Sequence, residues 1–150
     1  MSQGLNRRQA LVAGAGLYAA GLGFAAGPAL AANDYAEQIR KFTGGKMPIG
    51  ARVKLDLPEL AENGNTVSMA VTVDGPMTAE RHLEEILVLA PNNPNARVVR
   101  FRFSPMSVPE AATRIRLAES QSVIAVAKMS DGTFFFAARE IKVTIGGCGG

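Results

Sequence analysis

From residue 53 onward, hydrophobic and polar positions alternate with a period of two. Val53, Leu55 and Leu57 are separated by Lys54 and Asp56, and Met69, Val71 and Val73 by Ala70 and Thr72. Val99, Phe101 and Phe103 stand against Arg100 and Arg102, and Ile115 and Leu117 against Arg114 and Arg116. Ile141, Val143 and Ile145 alternate with Lys142 and Thr144. Successive side chains of a strand point to opposite faces, so each run predicts a strand with one dry and one wet face. Ile86 to Leu89 and Val123 to Val126 are more continuously apolar, as strands covered on both faces are.

Turn chemistry separates these runs at Asn63-Gly64, Asp74-Gly75-Pro76, Asn92-Asn93-Pro94 and Asp131-Gly132. Short strands punctuated in this way predict an all-β fold, an immunoglobulin-like β-sandwich of about seven strands. One short helix precedes it. Asp34 is its expected cap, Glu37 supports the first turn, Ala36, Ile39 and Phe42 share a face, and Gly44-Gly45 ends it.

The first thirty or so residues have a different pattern. Arg7-Arg8 opens into an uncharged, small and apolar stretch from Ala10 to Ala26, followed by Pro28-Ala29-Leu30-Ala31. Charge, apolar stretch and small-residue cleavage site in that order predict an export signal over residues 1–31. The paired arginines favour the twin-arginine route, although Asn6, Ala10 and Val12 stand where that motif usually has Ser or Thr, Phe and Lys. The expected mature protein is a single domain over 32–145 with a tail over 146–150, in the periplasm and not anchored in a membrane.

Composition narrows the chemistry. The 150 residues are 47% hydrophobic, which excludes a disordered chain. Of the 16 basic residues, two are Arg7 and Arg8, so the remainder is close to neutral against 13 acidic ones. No clustered basic face for nucleic acid is expected. A single cysteine and a single histidine exclude a disulfide-stapled scaffold and multi-His or multi-Cys metal sites. No cofactor and no metal is expected. His82, ahead of the Ile86 run, is expected to be satisfied or exposed and carries no catalytic motif.

The tail carries the chemistry. Gly146-Gly147-Cys148-Gly149-Gly150 cannot continue the last strand, because glycine loses the most backbone entropy on ordering and offers no side chain to pack. A flexible, glycine-rich arm is expected from Gly146 on, lifting the sulfur roughly 10 Å from the body at about 3.3–3.6 Å per residue. A lone cysteine in an exported chain pairs with another chain or works as a thiol. Cys148 has no apolar neighbour to be buried with. A floppy mount is wrong for a catalytic nucleophile, which needs a base and fixed geometry, and right for a covalent carrier.

The terminal GGCGG motif, behind a twin-arginine-type leader and a β-rich body, resembles the SoxY family, the sulfur-carrier subunits of the periplasmic thiosulfate-oxidising (Sox) system. Residues 53–64 and Ala90-Pro91-Asn92-Asn93-Pro94 are also similar to that family. The resemblance implies a non-catalytic protein paired with a SoxZ-like subunit and exported with it. It implies Cys148 as the covalent attachment point, loaded with thiosulfate by a c-type haem sulfur transferase and relieved of sulfate by a dimanganese thiosulfohydrolase. A sulfane dehydrogenase follows in hosts that have one. A disulfide-linked homodimer through Cys148 is expected in an oxidising compartment.

Two other readings use the same residues. An exported interaction module would use Cys148 only as a tether to a partner. A ubiquitin-like carrier would be activated at the carboxylate of Gly149-Gly150, which the export leader and the absence of an evident helix between strand pairs oppose.

Overall fold

The computed structural model describes residues 34–147. The expected export signal, with Arg7 and Arg8, lies outside the described residues, as do Cys148, Gly149 and Gly150. A helix α1 (Tyr35–Thr43) is followed by eight strands: β1 (Val53–Asp56), β2 (Leu60–Asn63), β3 (Val67–Val73), β4 (Leu83–Leu89), β5 (Arg97–Arg102), β6 (Glu110–Ile115), β7 (Gln121–Met129) and β8 (Phe134–Ile145). They form two sheets, β1-β3-β6 and β2-β8-β7-β4-β5. The expected β-sandwich is the observed architecture, with one strand, β2, beyond those the alternation predicts.

The core lies between the sheets and follows the period-two pattern. In β3, Val67, Met69, Val71 and Val73 are all buried, and the antiparallel register Leu55↔Val71 puts Leu55 of β1 on the same dry face. Ile86 and Val88 of β4, Val123, Ala125 and Ala127 of β7 and Ile141 of β8 face them from the second sheet. Each such valine, leucine, isoleucine or methionine contributes about 1.5–3 kcal/mol by leaving water. Along β8, burial fades from Ile141 (2% exposed) to Ile145 (65% exposed), so the strand leaves the sandwich as its end approaches.

The continuously apolar runs are covered on both faces, as expected. Leu87, Leu89, Val126 and Phe134 are buried but stand outside the inter-sheet core. On that outer face lies α1, whose Phe42 meets Phe134 edge-on with ring centroids 5.9 Å apart. Arg100 lies over the Phe42 ring at 5.6 Å, a cation–π contact that pins the helix to β5. Gly44 closes α1 at φ +65°, a left-handed cap that glycine adopts without penalty. Asp34 occupies the N-cap position, but its carboxylate accepts from the Gln38 side chain at 3.0 Å and not from the helix backbone. Glu37 pairs with Lys41 at 2.8 Å, which holds the Glu37 carboxyl below its ordinary range.

Candidate functional site

β8 delivers the chain end to one corner of the sandwich. It runs antiparallel to β7, Gln121 opposite Ile141, and parallel to β2, Asn63 opposite Ile145. Past Ile145 the ladder continues through backbone alone. Gly64 N–H donates to the Ile145 carbonyl at 2.7 Å, Leu117 N–H to the Gly64 carbonyl at 2.8 Å, and Gly147 N–H to the Leu117 carbonyl at 2.9 Å. Three segments distant in sequence therefore close on one another at the root of the tail.

The closure leaves no space for side chains. A Cβ on Gly64 would lie 2.7 Å from the Gly147 nitrogen and 2.9 Å from a Val143 methyl, and inside the Leu117 carbonyl. One on Gly146 would overlap the Ala118 carbonyl, and one on Gly147 would stand 3.0 Å from the Gly64 carbonyl oxygen. None of the three glycines has positive φ, so close approach and not turn conformation requires them.

Of the expected arm, the first two residues are described: Gly146 is exposed, and Gly147 is buried with its N–H on the Leu117 carbonyl. Cys148, Gly149 and Gly150 themselves lie outside the described residues.

A loop braces the Leu117 segment. Asn93 accepts from the Ala118 N–H at 2.9 Å and from the Gln121 side-chain amide at 3.0 Å, and donates to the Arg116 carbonyl at 2.8 Å. The buried Gln121 in turn accepts from the Asn92 N–H at 2.9 Å. The Asn92-Asn93-Pro94 turn, read from sequence only as punctuation and as a family likeness, thus holds the segment that holds the tail.

Beside Gly147 lies a recess of about 390 Å³ between β5 and β6, the exposed edge strands of the two sheets. Arg97, Arg114 and Arg116 contribute to its wall, and no acidic residue does. Arg100 and Arg102 pair with Glu85, at 3.4 and 3.3 Å. Arg97, Arg114 and Arg116 make no ion pair among the described residues. Sequence reading used Arg114 and Arg116 only as the polar half of an alternation.

His82 stands at the opposite end of the sandwich. It precedes β4, whose Leu83 faces Met129 at the far end of β7, and its N–H donates to the Ser130 hydroxyl at 3.0 Å. The eight residue spacings of the nine-residue β7, at about 3.3 Å each, separate that end from the tail's corner by roughly 26 Å, far beyond hydrogen-bond reach. His82 is half-buried and its Nδ1 is buried without a hydrogen-bond partner, so it is neither exposed nor satisfied as the sequence reading expected. Among the described residues no group of three or more His, Cys, Asp or Glu is placed to hold a metal ion.

The fold has known counterparts. The sulfur carrier protein SoxY from Chlorobium limicola f thiosulfatophilum superposes with a TM-score of 0.61 and 29% identity, over 75% of this chain and 97% of that one. A superoxide reductase (neelaredoxin) from Ignicoccus hospitalis superposes with a TM-score of 0.56 at 22% identity, over 61% of this chain and 78% of that one. A hypothetical protein from Pyrococcus horikoshii OT3 does so at 0.55 and 15% identity, over 68% and 98%. The latter two likenesses concern the sandwich alone. No curated protein matches the sequence. Residues 39–148 match the family of sulfur oxidation protein SoxY, a match that spans the whole sandwich and ends on Cys148, and the chain belongs to that family.

Proposed function

We propose that the protein is a covalent sulfur carrier of a thiosulfate-oxidising system, with Cys148 as its attachment point. The observation that carries this reading is the backbone staple at Gly64, Leu117 and Gly147, which fixes the residue before the thiol at an edge of the body. A catalytic cysteine needs a neighbouring base, and the one histidine of the chain lies at the far end of β7. A carrier needs only an accessible thiol presented to visiting enzymes.

The loading step is oxidative: the thiolate and thiosulfate join through a new S–S bond, giving Cys148–S–S–SO₃⁻, and two electrons pass to a c-type haem sulfur transferase. Water then cleaves the terminal S–S bond at a dimanganese thiosulfohydrolase, releasing sulfate and two protons and leaving a persulfide on Cys148. Both are reversible or relayed states of a thiol cap, and tethering raises their effective concentration at each enzyme. A sulfane dehydrogenase, where the host has one, oxidises the remaining sulfur. We assign export to the twin-arginine signal around Arg7 and Arg8, a periplasmic site of action, and pairing with a SoxZ-like subunit.

Intact-mass measurement tests the reading. After incubation with thiosulfate and a thiosulfate-oxidising extract, the purified protein should gain thiosulfate or sulfane mass on the tail peptide, and Cys148→Ser should gain none. Only disulfide-linked product, or undiminished loading of the serine variant, overturns it.

A further inference from the structure

We propose that β6 is a self-complementary edge through which two copies of the chain join, antiparallel, into one continuous sheet. The inference goes beyond the carrier reading and uses no residue of the tail. β6 ends the three-stranded sheet, so one side of its backbone has no neighbouring strand among the described residues. The Val73 N–H donates to the Pro109 carbonyl at 2.9 Å, which fixes the phase of the β3–β6 ladder. Bonded and unbonded pairs alternate in an antiparallel ladder, so Ala111, Thr113 and Ile115 bond to β3 while Ala112 and Arg114 turn both N–H and C=O outward. The Glu110 carbonyl faces the same way, its N–H being taken by the Val108 carbonyl at 2.8 Å. The side chains of Glu110, Ala112 and Arg114 are exposed on the outer face of the sheet.

Charge selects the occupant. Glu110 and Arg114 make no ion pair among the described residues, and their neighbours across β3 are the uncharged Thr72 and Ser68. A two-fold axis at Ala112 sets that residue against itself and Glu110 against Arg114 of the second copy, in both directions. The same register joins the outward-facing backbone groups, with a small side chain at its centre. It also brings Val108, 66% exposed just ahead of β6, towards the aliphatic stem of the second copy's Arg116. The β5 edge lacks this match. There the Phe103 N–H on the Glu84 carbonyl turns the backbone of Arg100 and Arg102 outward, and self-pairing about Arg100 opposes like charges. A two-fold contact of this kind is isologous and closes at the dimer.

Sedimentation equilibrium of the purified full-length protein, kept reduced so that Cys148 forms no disulfide, tests this over about a hundredfold range of concentration. A reversible dimer is expected. Arg114→Glu sets Glu against Glu in both pairs and should weaken association at least about tenfold, and Glu110→Arg should do the same. The double variant restores both pairs with their signs exchanged and should return to within about threefold of the parent. Lys54→Glu makes the same change of net charge on the sheet's opposite edge strand and should leave association as it is. Ala112→Pro, tolerated where an edge N–H faces solvent, should abolish the dimer. A monomer at every concentration, a dimer indifferent to Arg114→Glu, or a double variant no better than the single ones overturns the proposal. So does slowed exchange of the Ala112 and Arg114 amides only when a SoxZ-like subunit is added, which would give the edge to that partner. None of these outcomes touches the carrier reading, which rests on loading of Cys148 from thiosulfate.

Discussion

The carbonyl of Leu117 accepts the N–H of Gly147 at 2.9 Å, and the side chain of Leu117 is wholly buried in the core. One residue thus joins the inside of the sandwich to the root of the reactive tail. Its own N–H is bound to the Gly64 carbonyl, so Leu117 has little freedom to shift without moving both glycines. The root of the tail, up to Gly147, is placed by core packing.

Leu117→Ala should destabilise the fold by about 2–5 kcal/mol, the range for deleting a buried leucine. It should also speed amide exchange at Gly64 and Gly147 beyond what the global loss explains. Denaturant unfolding with hydrogen exchange reads both effects. A variant that unfolds earlier while Gly147 keeps its relative protection would separate the core from the tail root.

Gly146→Ala should be costly although residue 146 is exposed at the end of the last strand. Its new Cβ overlaps the Ala118 carbonyl, a backbone atom that cannot rotate away, so the chain end must peel off or the loop must move. We expect a loss of about 1–3 kcal/mol and early exchange at Gly147. Gly75→Ala is the control, since its Cβ would meet only the terminal methyl of Met129 at 3.3 Å, and should fall within about 0.5 kcal/mol of the parent. Equal behaviour of the two variants in thermal unfolding would contradict the close-approach account.

Asn93→Ala removes the acceptor for the Ala118 N–H and the Gln121 amide and the donor to the Arg116 carbonyl. At about 1 kcal/mol per hydrogen bond, the expected cost is about 2–3 kcal/mol. Asn93→Asp keeps the acceptor oxygen and loses the donor, so its cost should be smaller. Urea midpoints of the two variants decide the order; a milder alanine variant would show that the brace is not the source of the stability.

How far the sequence reaches is visible at particular residues. Met69 to Val73 in β3 and the two-faced run in β4 were legible because burial there follows spacing along the chain itself. β2 was not: it holds one buried residue, Ala61, beside an exposed Leu60, and pairs in parallel with the distant end of β8. The same limit applies at the site. Cys148 and its glycines were legible as a motif, but the need for glycine at 64, 146 and 147 arises from contacts among segments far apart in sequence. The Asn63-Gly64 pair looked like turn chemistry, yet it joins strands of different sheets and Gly64 is not at positive φ. The unpaired state of Arg97, Arg114 and Arg116 depends on where the carboxylates fold, which alternation does not encode.

Acid should expose the contribution of Asp131 to the β7–β8 turn. Its carboxylate accepts from the Thr133 hydroxyl, at 2.6 Å, and from the Thr133 N–H, at 3.0 Å, and pairs with Arg81 at 2.8 Å. These hold the Asp131 carboxyl below its ordinary range, the hydroxyl bond first, then the backbone bond, with Arg81 a smaller cause. A depressed folded-state pKa stabilises the protein above the unfolded value, near 3.9, and that stability is lost as pH falls through the folded value. The group is partly exposed, so the charge contributes at most about 1 kcal/mol. Asp131→Asn should therefore lower stability by up to that amount at pH 7, and the gap to the parent should close progressively below about pH 4. Urea unfolding at pH 7, 5, 4 and 3 measures it. A gap that stays constant into acid would mean that the turn is held by shape and neutral hydrogen bonds, with no part played by the charge.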